Sequence, residues 1–147
     1  MNNLYTIGFT QKSAESFFDL LNMNKVKTVI DIRLNNTSQL AGFAKFPDIQ
    51  YFLKKICDID YIHDKIFSPT ELTLKKYKNK EISWKQYVEE FNETMQARDV
   101  DKHIEKNYKY LDNICLLCSE STHEKCHRSI VSDMFKKQFN NIIIKNL

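Results

Sequence analysis

The chain has 147 residues, of which 42% are hydrophobic and 12% aromatic, and its net charge is +3. That is enough apolar content to build a core, which excludes a disordered chain, and the charge is too slight to mark a nucleic-acid binder by itself. Two Gly and two Pro argue against a loop-rich fold.

Met1-Asn2-Asn3 leads straight into an apolar strand pattern, without the basic and apolar regions of a secretion signal. No apolar run approaches the roughly 18 residues that a membrane span needs. The expected compartment is the cytoplasm, and there four cysteines are expected as free thiols or ligands rather than a disulfide framework.

In chain order, Leu4 to Gly8 reads as a first strand, and Ser13 caps a helix carrying Phe17, Phe18, Leu20 and Leu21. Val26 to Ile32 is a near-continuous apolar run, the pattern of a strand covered on both faces. It ends in Asp31-Ile32-Arg33, followed by a polar loop from Asn35 to Gln39. Pro47 and Asp48 open a second helix with Ile49, Phe52, Leu53 and Ile56, and Ile59 to His63 is a third strand. Ser68-Pro69-Thr70-Glu71 predicts a helix start with Ser68 as N-cap, Pro69 at the first position and a capping-box Glu71. Ser83-x-x-Gln86 is a second capping box, ahead of Tyr87, Val88, Phe91 and Met95. A further helix is expected over Val100 to Leu111, a buried strand over Ile114 to Cys118, a last helix from about His123 to Phe139, and a last strand over Ile142 to Ile144. Strands alternating with helices predict a single α/β domain over 1–147. Its form is a three-layer sandwich, with a mostly parallel five-stranded sheet flanked by helices. The helical stretch at about 68–98 exceeds a simple crossover and is read as an insertion covering a sheet edge.

Chemistry concentrates after the Ile114 strand. Cys118 and Glu120 stand at its end, and Cys126, His127 and Arg128 follow. A thiol, a carboxylate, an imidazole and a guanidinium are the groups of nucleophiles, acid/base catalysts, metal ligands and anion clamps. With the last helix starting near His123, Cys126 and His127 lie about one turn inside it and face the sheet. Asp31 and Arg33, two apart on a strand, point the same way and sit at the neighbouring strand end.

These motifs carry a resemblance. Tyr5-Thr6-Ile7-Gly8, Asp31-Ile32-Arg33 and the C-x-E-x5-C-H-R pattern of Cys118, Glu120, Cys126, His127 and Arg128 together resemble a family catalogued as domain of unknown function 488. Ser68-Pro69-Thr70 and Ser83 to Tyr87 are similar to the middle of one branch of that family. Phe9 stands where many members have His, and His123 where many have Pro. The resemblance implies a fold and a site, and no reaction.

The reading from these residues is an enzyme acting on a small anionic or nucleotide-like substrate. Arg33 and Arg128 would bind the anion, Glu120 or Asp31 would act as general base, and His127 would orient or shuttle a proton. Cys118 rather than Cys126 would be the nucleophile, with Cys126 lining the ligand site. The alternative is a non-catalytic ligand-binding or nucleic-acid-associated module that uses the same pocket to recognise an anion; nucleic acid is disfavoured because the lysines are dispersed among acids. Residues 119–125 contain no glycine, so a phosphatase-like cradle of main-chain amides is not expected. No resident cofactor is expected either. Zinc on Cys118, Cys126, His127 and a carboxylate is the lesser reading, because neighbouring Cys and His on a helix diverge by about 100°.

Overall fold

A computed structural model describes residues 3–37 and 41–147. Five strands form one sheet: β1 (Asn3–Gly8), β2 (Thr28–Asp31), β3 (Asp60–His63), β4 (Ile114–Cys118) and β5 (Ile143–Asn146). Their order is β3-β2-β4-β1-β5, and every pairing is parallel. The sheet is thus wholly parallel, where the sequence predicted mostly parallel. Six helices flank it: α1 (Ala14–Met23), α2 (Asp48–Cys57), α3 (Glu71–Lys78), α4 (Trp84–Ala97), α5 (Val100–Tyr108) and α6 (His127–Gln138).

Strand alternation divides the core in two. Ile114 and Leu116 of β4 join Leu4, Ile30 and residues of α4, α5 and α6 on one face. Cys115 and Leu117 join Tyr5, Ile7, Val29 and residues of α1 and α2 on the other. The result is a three-layer α/β sandwich. The connection leaving β4 therefore passes over one face, while those leaving β1 and β2 pass over the other. Adjacent strands whose connections part in this way leave a crevice beyond their C-terminal ends, where α/β sheets bind ligands.

Local chemistry explains the helix starts. Ser13 accepts from the Ser16 N–H, and Ser83 and Gln86 form the full reciprocal capping box. Two expected starts move. α3 is capped by Thr70, whose hydroxyl accepts from the Thr73 N–H, while the Ser68 hydroxyl donates to the Lys65 carbonyl instead. α6 begins at His127, not near His123. Residues 121–125 form bends and a turn, and Lys125 sits at φ 49°, a left-handed conformation that no helix can pass through. Cys126 is consequently the N-cap residue, with extended φ −126° and ψ 138°. α5 also stops at Tyr108, short of the predicted Leu111. Ser38 and Gln39 of the predicted polar loop lie outside the described residues. Among the described residues, no helix is long and apolar enough to cross a membrane.

Candidate functional site

The ends of β1, β2 and β4 meet the start of α6. Gly8 pairs with Cys118 in register, and the Ile32 N–H donates to the Leu117 carbonyl at 3.1 Å. Cys118 follows Ile114 and Leu116 in strand parity, so it points to the face covered by α4 and α6. His127, at the first position of α6, is buried there under Phe91, with ring centroids 5.7 Å apart.

The Cys118 Sγ lies 3.6 Å from His127 Nδ1, while His127 Nε2 lies 3.0 Å from the Ile32 carbonyl oxygen. A carbonyl only accepts, so Nε2 carries the proton and Nδ1 is left facing the sulfur. The Cys118 pKa is held well below its ordinary value. The Cys126 thiol donating to it is the main cause; burial opposes, and His127 and the Ser119 main-chain N–H add to the lowering. Burial opposes a charged imidazole at His127, but the Cys118 sulfur outweighs it and raises that pKa. Cys126 moves the opposite way, pushed up first by its bond to Cys118 and then by burial. The site therefore favours a Cys118 thiolate beside a His127 imidazolium. The position of Cys126 at a helix N-terminus places the positive end of a 12-residue helix beside both sulfurs. The Cys118 and Cys126 sulfurs and a His127 ring nitrogen all lie within 4.8 Å of one another, the one group among the described residues spaced to share a metal ion.

Arg33 and Asp31 form a bidentate pair, Nε to Oδ1 at 2.8 Å and Nη2 to Oδ2 at 2.6 Å. Asp31 also accepts from the Tyr61 hydroxyl at 2.6 Å and the Arg33 main-chain N–H at 3.1 Å. It is wholly buried and saturated, and it does not line the cleft. Its geometry is that of a group that holds Arg33 rather than of a general base. Arg33 Nη2 donates also to the Ala44 carbonyl at 2.7 Å, and the guanidinium lies over the Phe9 ring. Burial opposes its charge, yet Asp31 more than compensates and its pKa is raised. Arg33 Nη1 has no acceptor among the described residues, and Arg33 lines the cleft. Tyr61, and Asn36 behind it donating to the Tyr61 hydroxyl at 3.0 Å, complete this support. Sequence reasoning missed both; the only signal was a Tyr in the strand next to Asp31.

Arg128 stands elsewhere than expected. It is 1% exposed and donates from Nη1 to the Glu120 main-chain carbonyl at 2.8 Å; its Nε has no acceptor among the described residues. It shores up the loop after β4 and does not reach the cleft surface. Gly8 makes this possible: a Cβ there would lie 1.5 Å from the Glu120 oxygen and 2.5 Å from Arg128 Nη1. The Glu120 side chain is exposed at the cleft rim, and its carboxylate pairs with neither Arg33, Arg128 nor His127.

The cleft above the two sulfurs has a volume of about 470 Å³. Arg33, Lys78, Lys125 and Glu120 supply its charged groups, and Tyr77, Trp84 and Tyr87 form an aromatic wall. Trp84 stacks on Tyr87 at 5.1 Å and 15°, so the 68–98 helices both cover the core and wall the cleft. Cys118, Cys126, His127, Arg33 and Glu120 thus share one cleft, while Asp31 and Arg128 support it from behind. The profile of a family described as a domain of unknown function, DUF488, matches residues 13–135. No curated protein and no solved structure matches the chain.

Proposed function

The chain belongs to the DUF488 family, and from that starting point we propose that it is an enzyme acting on a small anionic substrate at the floor of this cleft. One observation carries the reading: Cys118 Sγ lies 3.6 Å from His127 Nδ1, while the opposite ring nitrogen is anchored 3.0 Å from the Ile32 carbonyl. A nucleophile beside a base that is itself oriented by a third group is the arrangement of thiol catalysis. Cys118 attacks the electrophilic centre, and the leaving group takes the His127 proton. Arg33 Nη1, which has no acceptor among the described residues, binds the substrate's negative oxygen. Glu120 at the rim serves as base for the water that releases the covalent intermediate. Lys78 and Lys125 add positive potential, and the Tyr77–Trp84 wall suits a substrate with a planar ring, such as a nucleotide. The four free cysteines support a cytoplasmic location.

The test has two stages. Phosphate, sulfate and nucleotides are screened for saturable thermal stabilisation. A ligand at ~100 times its Kd stabilises by about 2.7 kcal/mol, and Arg33→Lys, which keeps the charge beside Asp31 but loses the fork, should reduce the gain. Ligands that pass are then incubated with the protein and analysed by intact mass. A Cys118 adduct or turnover, absent in Cys118→Ser while binding persists, is the expected result. Saturable binding without adduct or turnover would favour a non-catalytic binding module. Binding only to oligonucleotides, falling steeply with salt, would favour a nucleic-acid module.

A further inference from the structure

We propose that Cys118 Sγ, Cys126 Sγ and His127 Nδ1 form an exchangeable zinc site whose fourth position opens on the cleft, and that zinc bound there silences Cys118. The silencing half rests on the function proposed above; the binding half does not. The objection from sequence was that neighbouring Cys and His on a helix diverge. It fails because Cys126 precedes the helix: its extended backbone turns its side chain independently of His127, and the three ligand atoms converge within 4.8 Å. A tetrahedral zinc with ordinary Zn–S and Zn–N bonds separates its sulfur and nitrogen ligands by about 3.6 Å, and the Cys118–His127 distance is 3.6 Å.

The surroundings suit the ion in two further ways. A ligating histidine usually donates its other ring N–H to a carbonyl or carboxylate, and His127 Nε2 does so to Ile32 at 3.0 Å. Two thiolates and an imidazole are a soft donor set, preferred by zinc over magnesium or calcium. Two thiolates also balance the dication, and the thiol protons leave to solvent as it binds. All three residues line the cleft, so the fourth ligand is a water or a substrate anion. The site has only three protein ligands and stands among Arg33, Arg128 and Lys125. Those cations oppose a dication, so the ion exchanges rather than staying as a permanent structural metal. A coordinated Cys118 sulfur has its lone pair engaged and is a poor nucleophile.

The experiment uses the full chain, reduced and stripped with a chelator. Cobalt(II) is titrated as a spectroscopic probe and zinc then competes for it. Expected are one equivalent of cobalt with thiolate charge-transfer and tetrahedral ligand-field bands, displaced by zinc. Cys126→Ser and His127→Ala should each weaken binding by at least about tenfold, while Cys57→Ser leaves it unchanged. Thermal melting of each variant confirms that it is folded, and His127→Ala decides the matter should Cys126→Ser not fold. Zinc should also slow Cys118 alkylation, with recovery after chelation. Absence of one-to-one binding, or cobalt bands unchanged in folded variants, would overturn the site. A metal-free Cys118 that alkylates slowly while zinc still binds would overturn the silencing and the proposed nucleophile, and leave the metal site standing.

Discussion

Gly8→Ala tests how the fold builds the site. The added methyl would meet the Glu120 carbonyl oxygen at 1.5 Å and Arg128 Nη1 at 2.5 Å. The nearer contact is main chain, so relief requires the loop after β4 to move. That movement breaks the 2.8 Å bond from Arg128 to Glu120, the one hydrogen bond the buried guanidinium makes among the described residues. Overpacking costs about 1–3 kcal/mol, and loss of a hydrogen bond from a charged group about 1.5–3 kcal/mol. The sum is roughly 2.5–6 kcal/mol, and for a chain of this size each kcal/mol shifts Tm by about 2–4 °C. Calorimetry should therefore show Tm lowered by roughly 5–24 °C. Because the same loop carries Ser119, whose main-chain N–H faces the Cys118 sulfur, the Cys118 alkylation rate should change as well. A variant that melts within about 1 °C of the parent, with unaltered Cys118 labelling, would refute the claim that Gly8 is there for this close approach.

Asp31→Asn breaks a buried ion pair and should cost about 3–5 kcal/mol by chemical denaturation; it should also weaken anion-induced stabilisation, because Arg33 loses its holder. Tyr61→Phe removes one hydrogen bond to Asp31 and should cost about 1 kcal/mol, in the same direction on both readouts. Ser83→Ala removes the hydroxyl of an exposed capping box and should cost about 1 kcal/mol in thermal or urea unfolding, with Cys118 labelling unchanged.

The architecture was legible because its signals are local. The near-continuous apolar runs ending at Ile32 and Cys118, and the Ser13 and Ser83 caps, each carry their own physics and hold in the structure. The cluster of Cys118, Cys126 and His127 was also legible, since a strand end and a helix start must meet at the sheet's edge. The start of α6 was not. A left-handed Lys125 interrupts the path, in a loop whose Glu120 is held by the Arg128 and Gly8 contacts, and those are tertiary. The same misplaced helix start hid the convergence of the Cys126 and His127 side chains. The roles of the arginines were equally hidden. Arg33 and Arg128 look alike in sequence, and only packing sends one to the cleft and the other beneath the loop. Tyr61 gave only the faint signal of a Tyr in a neighbouring strand, because its hydroxyl meets Asp31 across a strand pairing of distant segments.

The most direct test of the central claim is site-resolved alkylation of the metal-free, native protein by iodoacetamide across pH, read by mass spectrometry. A thiol whose pKa is lowered stays ionised, and reactive, below the range of an ordinary thiol. Cys118 should label before Cys115 and Cys126, with a midpoint below the ordinary value of about 8.5, and His127→Gln should move this midpoint upward. A Cys118 as inert as Cys115, which is wholly buried in the core, or a midpoint at or above about 8.5 that ignores His127→Gln, would contradict it.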